Sequence, residues 1–183
     1  MSKQRNVEHV SGVDDRSRLA GVSWAYAYET YARLLLRYLR RFAATDAHAE
    51  DMLHDVFERA MNATNLPETA SLLPWLYRIA SNTAISHLRR QRLRRFLPLP
   101  QSHDEQLATS DPPLDVQEHV RLALRSLPPA QAIALVLVHH EGYSRAEAAR
   151  VLGVGEATLK TRLTRGRLNF AAAYGRLGRG LRG

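Results

Sequence analysis

The chain has 183 residues, and its 26 Lys and Arg residues outnumber its 18 Asp and Glu residues to give a net charge of +8. Apolar residues make up 45% and charged residues 24%, proportions typical of folded globular proteins and not of disordered chains. The absence of Cys excludes disulfides, thiolate metal sites and Cys nucleophiles. There is no apolar run long enough to span a membrane and no apolar stretch typical of a secretion signal, so we expect a cytoplasmic protein without membrane insertion. Excess positive charge most often indicates a nucleic-acid partner.

The first folded unit is predicted at residues 19–95, after a polar and mobile tail at 1–18. Apolar side chains recur every three or four positions from 23 to 44, which predicts an amphipathic helix. A second helix, capped by Thr45 or Asp46, is predicted to end near residue 62. It has no Lys or Arg between 46 and 58, and its acidic residues there are Asp46, Glu50, Asp51, Asp55 and Glu58.

A third helix is predicted from 72 to 95, after a loop at 62–71. At about 100° per residue, Leu76 lies on its buried face and a polar stripe lies opposite. The members of this stripe are Arg78, Asn82 and Arg89, with Trp75 and Ser86 on its flank. Such side chains are suited to phosphate contacts, base-edge hydrogen bonds and base stacking. The alternative is a solvated helix face with Trp75 in the core.

Residues 96–115 are predicted to be an extended linker. The segment contains four Pro residues and no helical apolar period, and all its charged residues are acidic: Asp104, Glu105, Asp111 and Asp115. A structureless stretch of this length is unusual inside one compact domain. The expected fold is therefore all-α, with two small helical domains joined by an extended acidic linker and no strand of useful length.

The second unit, residues 116–174, has the pattern of a helix-turn-helix. Two helices are predicted at 116–126 and 130–140, divided by two Pro residues. Ser144 and Glu147 match a capping box for a short helix that ends at Gly153. A longer helix is predicted from 156 to about 173, and residues 175–183 are predicted to be a basic tail. A short helix, a tight Gly turn and a longer basic helix are typical of DNA-binding proteins.

The last predicted helix has two different faces. Its apolar face consists of Leu159, Leu163, Gly166 and Phe170. The other positions carry small, hydroxylated and basic side chains, namely Ala157, Lys160, Thr161, Arg162, Thr164 and Arg165. Such a surface fits a DNA major groove, where Lys and Arg reach guanine edges. The alternative is a structural bundle with a solvated basic helix.

Several runs along the chain resemble the extracytoplasmic-function sigma factors of bacterial RNA polymerase. They are Ala49-Glu-Asp-Met-Leu-His-Asp-Val-Phe-Glu-Arg-Ala60, Trp75-Leu-Tyr-Arg-Ile-Ala-Ser-Asn-Thr-Ala84, Leu127-Pro-Pro129, Gly142-Tyr-Ser-Arg-Ala-Glu-Ala-Ala-Arg-Val-Leu-Gly-Val154 and Thr158-Leu-Lys-Thr-Arg-Leu163. The resemblance covers residues 28–174, nearly the whole chain. It implies a transcription initiation factor that is not an enzyme and needs no cofactor, made of sigma region 2 (19–95) and sigma region 4 (116–174).

The resemblance also implies partners and roles. These partners are core RNA polymerase, promoter DNA and an anti-sigma factor. The clamp helices of the largest polymerase subunit would bind the acidic helix through Glu50, Asp51, Met52, Asp55 and Phe57, and the flap of the second-largest subunit would bind the second unit. The minus-ten promoter element would be contacted by Trp75, Arg78, Asn82, Ser86 and Arg89. The minus-thirty-five element would be contacted by Lys160, Thr161, Arg162, Thr164 and Arg165, with Arg162 on phosphate.

The loop at 62–71 departs from the family pattern because it contains no aromatic residue. In the family this loop captures a flipped promoter base, and such bases are usually held by stacking. The mode of minus-ten recognition therefore stays open. At the start of the last helix, Glu156 either accepts from a cytosine amino group or complements the helix dipole, and the dipole is favoured.

Two other functions compete with this interpretation. A metal-dependent enzyme would use a cluster of His48, Glu50, Asp51, His54 and Asp55, or the run 139–141, but neither has the His-Glu-x-x-His spacing. A stand-alone helix-turn-helix regulator would account for the second unit. It would leave the acidic helix and the polar stripe of the first unit unexplained.

Overall fold

The computed structural model describes residues 18–19, 22–96 and 116–180. The predicted N-terminal tail up to residue 17, the linker from 97 to 115 and the last three residues lie outside the described residues. The described part contains seven α-helices and one short strand pair. The strands, β1 (Arg18–Leu19) and β2 (Val22–Ser23), are antiparallel and two residues long, too short for any alternation to be read in the sequence.

Three helices form the first unit: α1 (Trp24–Leu39), α2 (Asp46–Met61) and α3 (Leu72–Phe96), with a short 3-10 turn at Thr69–Ser71 before α3. The Thr45 hydroxyl accepts a hydrogen bond from the His48 amide at 3.2 Å, which confirms Thr45 as the cap of α2. Ser23 caps α1 in the same way. Pro74 lies in the first turn of α3, where its missing N–H has no helical partner to lose.

The core of this unit lies between the three helices. Its largest fully buried side chains are Leu35, Tyr38, Leu39, Phe42, Leu72, Leu76, Tyr77 and Leu88. The hydroxyls of Tyr38 and Ser81 form a buried hydrogen bond of 2.8 Å between α1 and α3, so both polar groups are satisfied inside the core. Leu76 was expected in this core, whereas Tyr77 was not.

The second unit contains α4 (Val116–Ser126), α5 (Pro129–His139), α6 (Arg145–Leu152) and α7 (Glu156–Gly180). The Ser144–Glu147 capping box is present with both of its hydrogen bonds, at 3.3 and 2.9 Å. Gly153 ends α6 at a φ of 63°, a left-handed conformation that Gly adopts without a Cβ penalty. The helix-turn-helix predicted from these residues is confirmed.

Helix α7 is longer than the sequence pattern indicates. It was expected to end near residue 173, with a basic tail from 175, but it continues to Gly180. Three successive Ala residues favour helix at this point. The next turn is also held by packing, since Tyr174 stacks on Phe170 with ring centroids 5.8 Å apart and Leu177 packs against the core.

Gly166 allows α7 to lie close to α5. A Cβ added at this position would lie 3.2 Å from two side-chain carbons of Leu135. We expect Gly166→Leu to destabilise the protein by about 1–3 kcal/mol through overpacking, measured by urea unfolding. Gly175→Leu is the matched control in the same helix, because nothing lies within 4 Å of a Cβ there. Equal stability of the two variants would contradict this account of the packing.

Candidate nucleic-acid and polymerase interfaces

The polar stripe of α3 is present on the surface of the first unit. Arg78, Asn82 and Arg89 are exposed, while Trp75 and Ser86 on its flank are half-buried. Trp75 also packs against the core, so its ring has both a structural contact and a solvent-facing part. The stripe thus combines two guanidinium groups, an amide and an indole, a set able to hold phosphates and base edges.

The basic surface of α7 begins directly after the turn at Gly153. Lys160, Thr161, Thr164 and Arg165 are exposed, and Arg162 is half-buried. The opposite face is fixed in the core by Leu159 and Leu163, both buried. The Thr161 hydroxyl donates to the Ala157 carbonyl at 3.0 Å, so its oxygen is left to accept a further hydrogen bond. A rigid helix therefore presents this surface to solvent.

The acidic helix α2 presents fewer of the predicted contact residues than expected. Glu50 is exposed and Asp55 half-exposed, and Asp51 is exposed as well. Met52 and Phe57, however, are only 2% and 5% exposed. The ring of Tyr28, from α1, lies 4.8 Å from that of Phe57 and covers it. Of these five residues, only the three carboxylates lie at the surface of α2, and Met52 and Phe57 belong to the core.

A polar groove between α2 and α3 is lined by acidic residues of α2 and basic residues of α3. The sequence pattern did not predict that these two sets lie side by side. Asp51 and Asp55 line it from α2, and Arg90 and Arg94 line it from α3. His48 and His87 lie at the same groove with ring centroids 5.6 Å apart. Burial, and then the neighbouring positive groups, lower the pKa of His87, so this ring is neutral at pH 7.

The two units contact each other, which the sequence did not predict. Helix α3 lies against α5 and α6. The Tyr77 hydroxyl donates to Glu141 Oε2 at 2.6 Å, and the Tyr77 and Tyr143 rings meet edge to face at 5.4 Å. Arg92, near the end of α3, donates to the Leu127 carbonyl beyond α4. These partners are 35 to 66 residues apart along the chain, so no local pattern reveals them.

A metal-dependent enzyme would need a cluster of metal ligands, and a membrane protein would need a long apolar helix. No three His, Asp or Glu side chains there are arranged to hold a metal ion. None of the helices in the described ranges combines the length and the apolar character that a membrane span requires.

The loop 62–71 carries Leu66 as an exposed apolar side chain.

Comparison with known proteins identifies the two units. Residues 27–94 match the family model of Sigma-70 region 2, and residues 117–169 match that of Sigma-70 region 4. The chain is 32% identical over 168 residues to the ECF RNA polymerase sigma factor SigM of Mycobacterium tuberculosis, covering 90% of this chain and 85% of SigM. It is 30% identical to SigE of Mycolicibacterium smegmatis over 79% of this chain and 59% of SigE.

Two solved structures share this fold. The sigma factor RpoE, in complex with the anti-sigma factor NepR from Bartonella quintana, matches with a TM-score of 0.59 and 22% identity, covering 82% of this chain and 95% of RpoE. CnrH, in complex with the cytosolic domain of CnrY, also matches with a TM-score of 0.59 and 22% identity, over 81% of this chain and 85% of CnrH. The two matched regions and the identity to SigM agree: the chain belongs to the extracytoplasmic-function sigma factors of bacterial RNA polymerase.

Proposed function

We propose that this protein binds core RNA polymerase in the cytoplasm, directs it to promoters with its own minus-ten and minus-thirty-five elements, and promotes DNA melting. The observation that carries the proposal is the presence, in one sigma-type chain, of three separate exposed surfaces of suitable chemistry. They are the polar stripe of α3, the basic face of α7 and the carboxylates of α2. The polymerase supplies the catalysis, and this chain acts by binding.

Each surface has a partner of opposite or complementary chemistry. The carboxylates Glu50, Asp51 and Asp55 suit the basic clamp helices of the largest subunit and not DNA. The α3 stripe, from Trp75 to Arg89, is assigned to the minus-ten element, where single-stranded bases can stack and accept hydrogen bonds. The exposed Lys160 and Arg165 are assigned to base edges of the minus-thirty-five element, and Arg162 to phosphate. The flap of the second-largest subunit is assigned to the second unit as a whole.

Transcription with purified components tests this function. Core polymerase is mixed with genomic DNA fragments, with and without this protein, and the transcript starts are mapped. We expect a small set of starts that appear only with the protein and share sequence near positions −10 and −35. Tight binding to duplex DNA by the protein alone, together with no affinity for core polymerase, would instead identify a stand-alone regulator.

An anti-sigma factor is proposed as a further partner. The support is that the sigma factor RpoE, which shares this fold, was solved in complex with the anti-sigma factor NepR. We expect such a partner to compete with core polymerase for the free protein. The measurement is displacement of the labelled protein from core polymerase by fractionated lysate of the source cells. A lysate without any displacing fraction would contradict this part of the proposal.

A further inference from the structure

The groove between α2 and α3 has side chains of opposite charge on its two walls. Asp51 and Asp55 line it from α2, and Arg90 and Arg94 line it from α3. The members of each pair are four positions apart, so they lie on the same face of their helix, one turn from each other. The groove therefore has two carboxylates along one wall and two guanidinium groups along the other.

These four charged groups do not pair with one another. No ion pair joins the two walls, and the ion pairs formed within the described ranges involve other side chains. Opposite charges that line one groove without meeting leave room between them for a molecule that carries both signs. Such a molecule gains charge-assisted hydrogen bonds on each side, which are stronger than hydrogen bonds between neutral groups.

A buried amide adds hydrogen-bonding capacity to the same groove. Gln91 lines the groove although its residue is only 9% exposed. Its amide has two donor hydrogens and an acceptor oxygen, and it has no hydrogen-bond partner among the residues that the structure describes. Since buried polar side chains are nearly always paired, an unpaired amide at the wall of a groove indicates a partner from outside the chain.

Two imidazole rings complete the polar lining. The ring of His48 is oriented by its Nδ1, which lies 3.0 Å from the Thr45 hydroxyl. The ring of His87 is 5.6 Å from it, and Nε2 of His87 is buried without a hydrogen-bond partner. Burial and the neighbouring positive groups lower the pKa of His87, which keeps this ring neutral. Counted with neutral imidazoles, the lining has two negative and two positive side chains, and neither sign is in excess.

The size and charge of the groove limit the kind of ligand. It encloses about 220 Å³, the volume of about seven water molecules at ~30 Å³ each. Pockets for drug-sized ligands are larger, at about 300–1,000 Å³. A polyanion such as a nucleotide would be repelled by Asp51 and Asp55, and a lone cation would be repelled by Arg90 and Arg94. A small molecule with one positive and one negative group fits both the volume and the charges.

We propose that the groove between α2 and α3 is a binding site for a free α-amino acid. An α-amino acid carries an ammonium and a carboxylate group on one carbon and is small enough for the groove. Its ammonium group is assigned to Asp51 and Asp55, and its carboxylate to Arg90 and Arg94. The Gln91 amide is assigned to the remaining polar atoms of the ligand. This site is a property of the isolated chain and does not depend on polymerase or DNA.

Calorimetric titration of the full chain with each common L-amino acid tests the site, with sodium chloride at equal concentration as the control for ionic strength. We expect saturable binding of at least one of them. Its N-acetyl derivative lacks the positive charge and its amide derivative lacks the negative charge, so each should bind about 10-fold or more weakly. If no amino acid binds, or if both derivatives bind as tightly as the amino acid, the proposal is overturned.

Two variants locate the binding in the groove. Arg94→Gln and Gln91→Leu should each weaken it by about 10-fold or more, because each removes a hydrogen-bonding group. Arg59→Gln is the matched control for Arg94→Gln, since Arg59 is exposed on α2 outside the groove, and it should not weaken binding. Gln91→Leu removes an unpaired buried amide and should not lower the free energy of unfolding in urea, which separates lost binding from misfolding. Unchanged affinity in both groove variants would place the ligand elsewhere and refute the site.

The bound amino acid should compete with core polymerase, because Asp51 and Asp55 are also assigned to the clamp helices. This part of the inference rests on the proposed function. We expect a saturating concentration of the amino acid to lower the affinity of the unchanged protein for core polymerase about 5-fold or more, and to have no effect on Arg94→Gln at the same concentration. Unchanged affinity for core polymerase would refute the competition and leave the amino-acid site intact. A protein that fails to bind core polymerase without any amino acid would refute the proposed function instead.

Discussion

Arg165→Ala is expected to weaken binding to the minus-thirty-five element by about 5- to 150-fold, while binding to unrelated DNA changes little. The range corresponds to the ~1–3 kcal/mol of discrimination carried by one good bidentate base contact. Arg165 lies on the exposed face of α7, two turns after its start, and no carboxylate of the described residues lies within 4 Å of it. Its guanidinium is therefore free to bind two acceptors of one guanine. Lys160→Ala, on the same surface, should act in the same direction.

The measurement is fluorescence anisotropy with a promoter fragment obtained by transcript mapping and a second fragment with a scrambled minus-thirty-five element. Both are compared at one salt concentration, because phosphate contacts make affinity strongly salt-dependent. Arg176→Ala is the control, since Arg176 is also exposed on α7 but lies three turns further from the helix-turn-helix. If Arg165→Ala weakens both fragments equally, Arg165 contacts phosphate and does not read sequence.

The helix boundaries of this protein could be predicted wherever they depend on local chemistry. The Thr45 cap, the Ser144–Glu147 capping box and the Gly153 turn each require only neighbouring residues, and each is present as expected. The exposure of the α3 stripe and the α7 surface follows from the helical period alone. The end of α7 was predicted too early because a turn rich in Gly and Arg has a weak helical signal, and the packing of Leu177 is not visible in the sequence.

Contacts over long separations could not be predicted in this way. The helical period places Phe57 and Met52 on the buried face of α2, where both lie, but it does not reveal that Tyr28 contacts Phe57. In the same way, Tyr77 and Glu141 are 64 residues apart, and their hydrogen bond depends on how two units meet. From the sequence, a Glu directly after two His residues at the end of a helix is expected to be exposed to solvent. In the structure Glu141 is buried there by the other unit.

Asp51→Arg is expected to lower the affinity for core polymerase by more than about 100-fold, because like charges placed directly opposite each other across an interface cost several kcal/mol. The proposed partner surface is basic, and Asp51 is exposed on α2. Since the groove of Asp51 also contains Arg90 and Arg94, the new arginine would face positive charge within its own chain as well. Asp51→Asn removes the attraction without adding this repulsion, and its effect should be intermediate.

Glu29→Arg makes the same change of charge on the exposed surface of α1 and should leave the affinity for core polymerase nearly unchanged. Titration of labelled protein with core polymerase at two salt concentrations separates the causes. An electrostatic loss shrinks as salt rises, since the Debye length falls from about 10 Å at 0.1 M to about 3 Å at 1 M, whereas a loss caused by misfolding does not. Equal affinity of Asp51→Arg and the unchanged protein would remove α2 from the polymerase interface. Another surface of the chain would then have to supply the affinity for core polymerase.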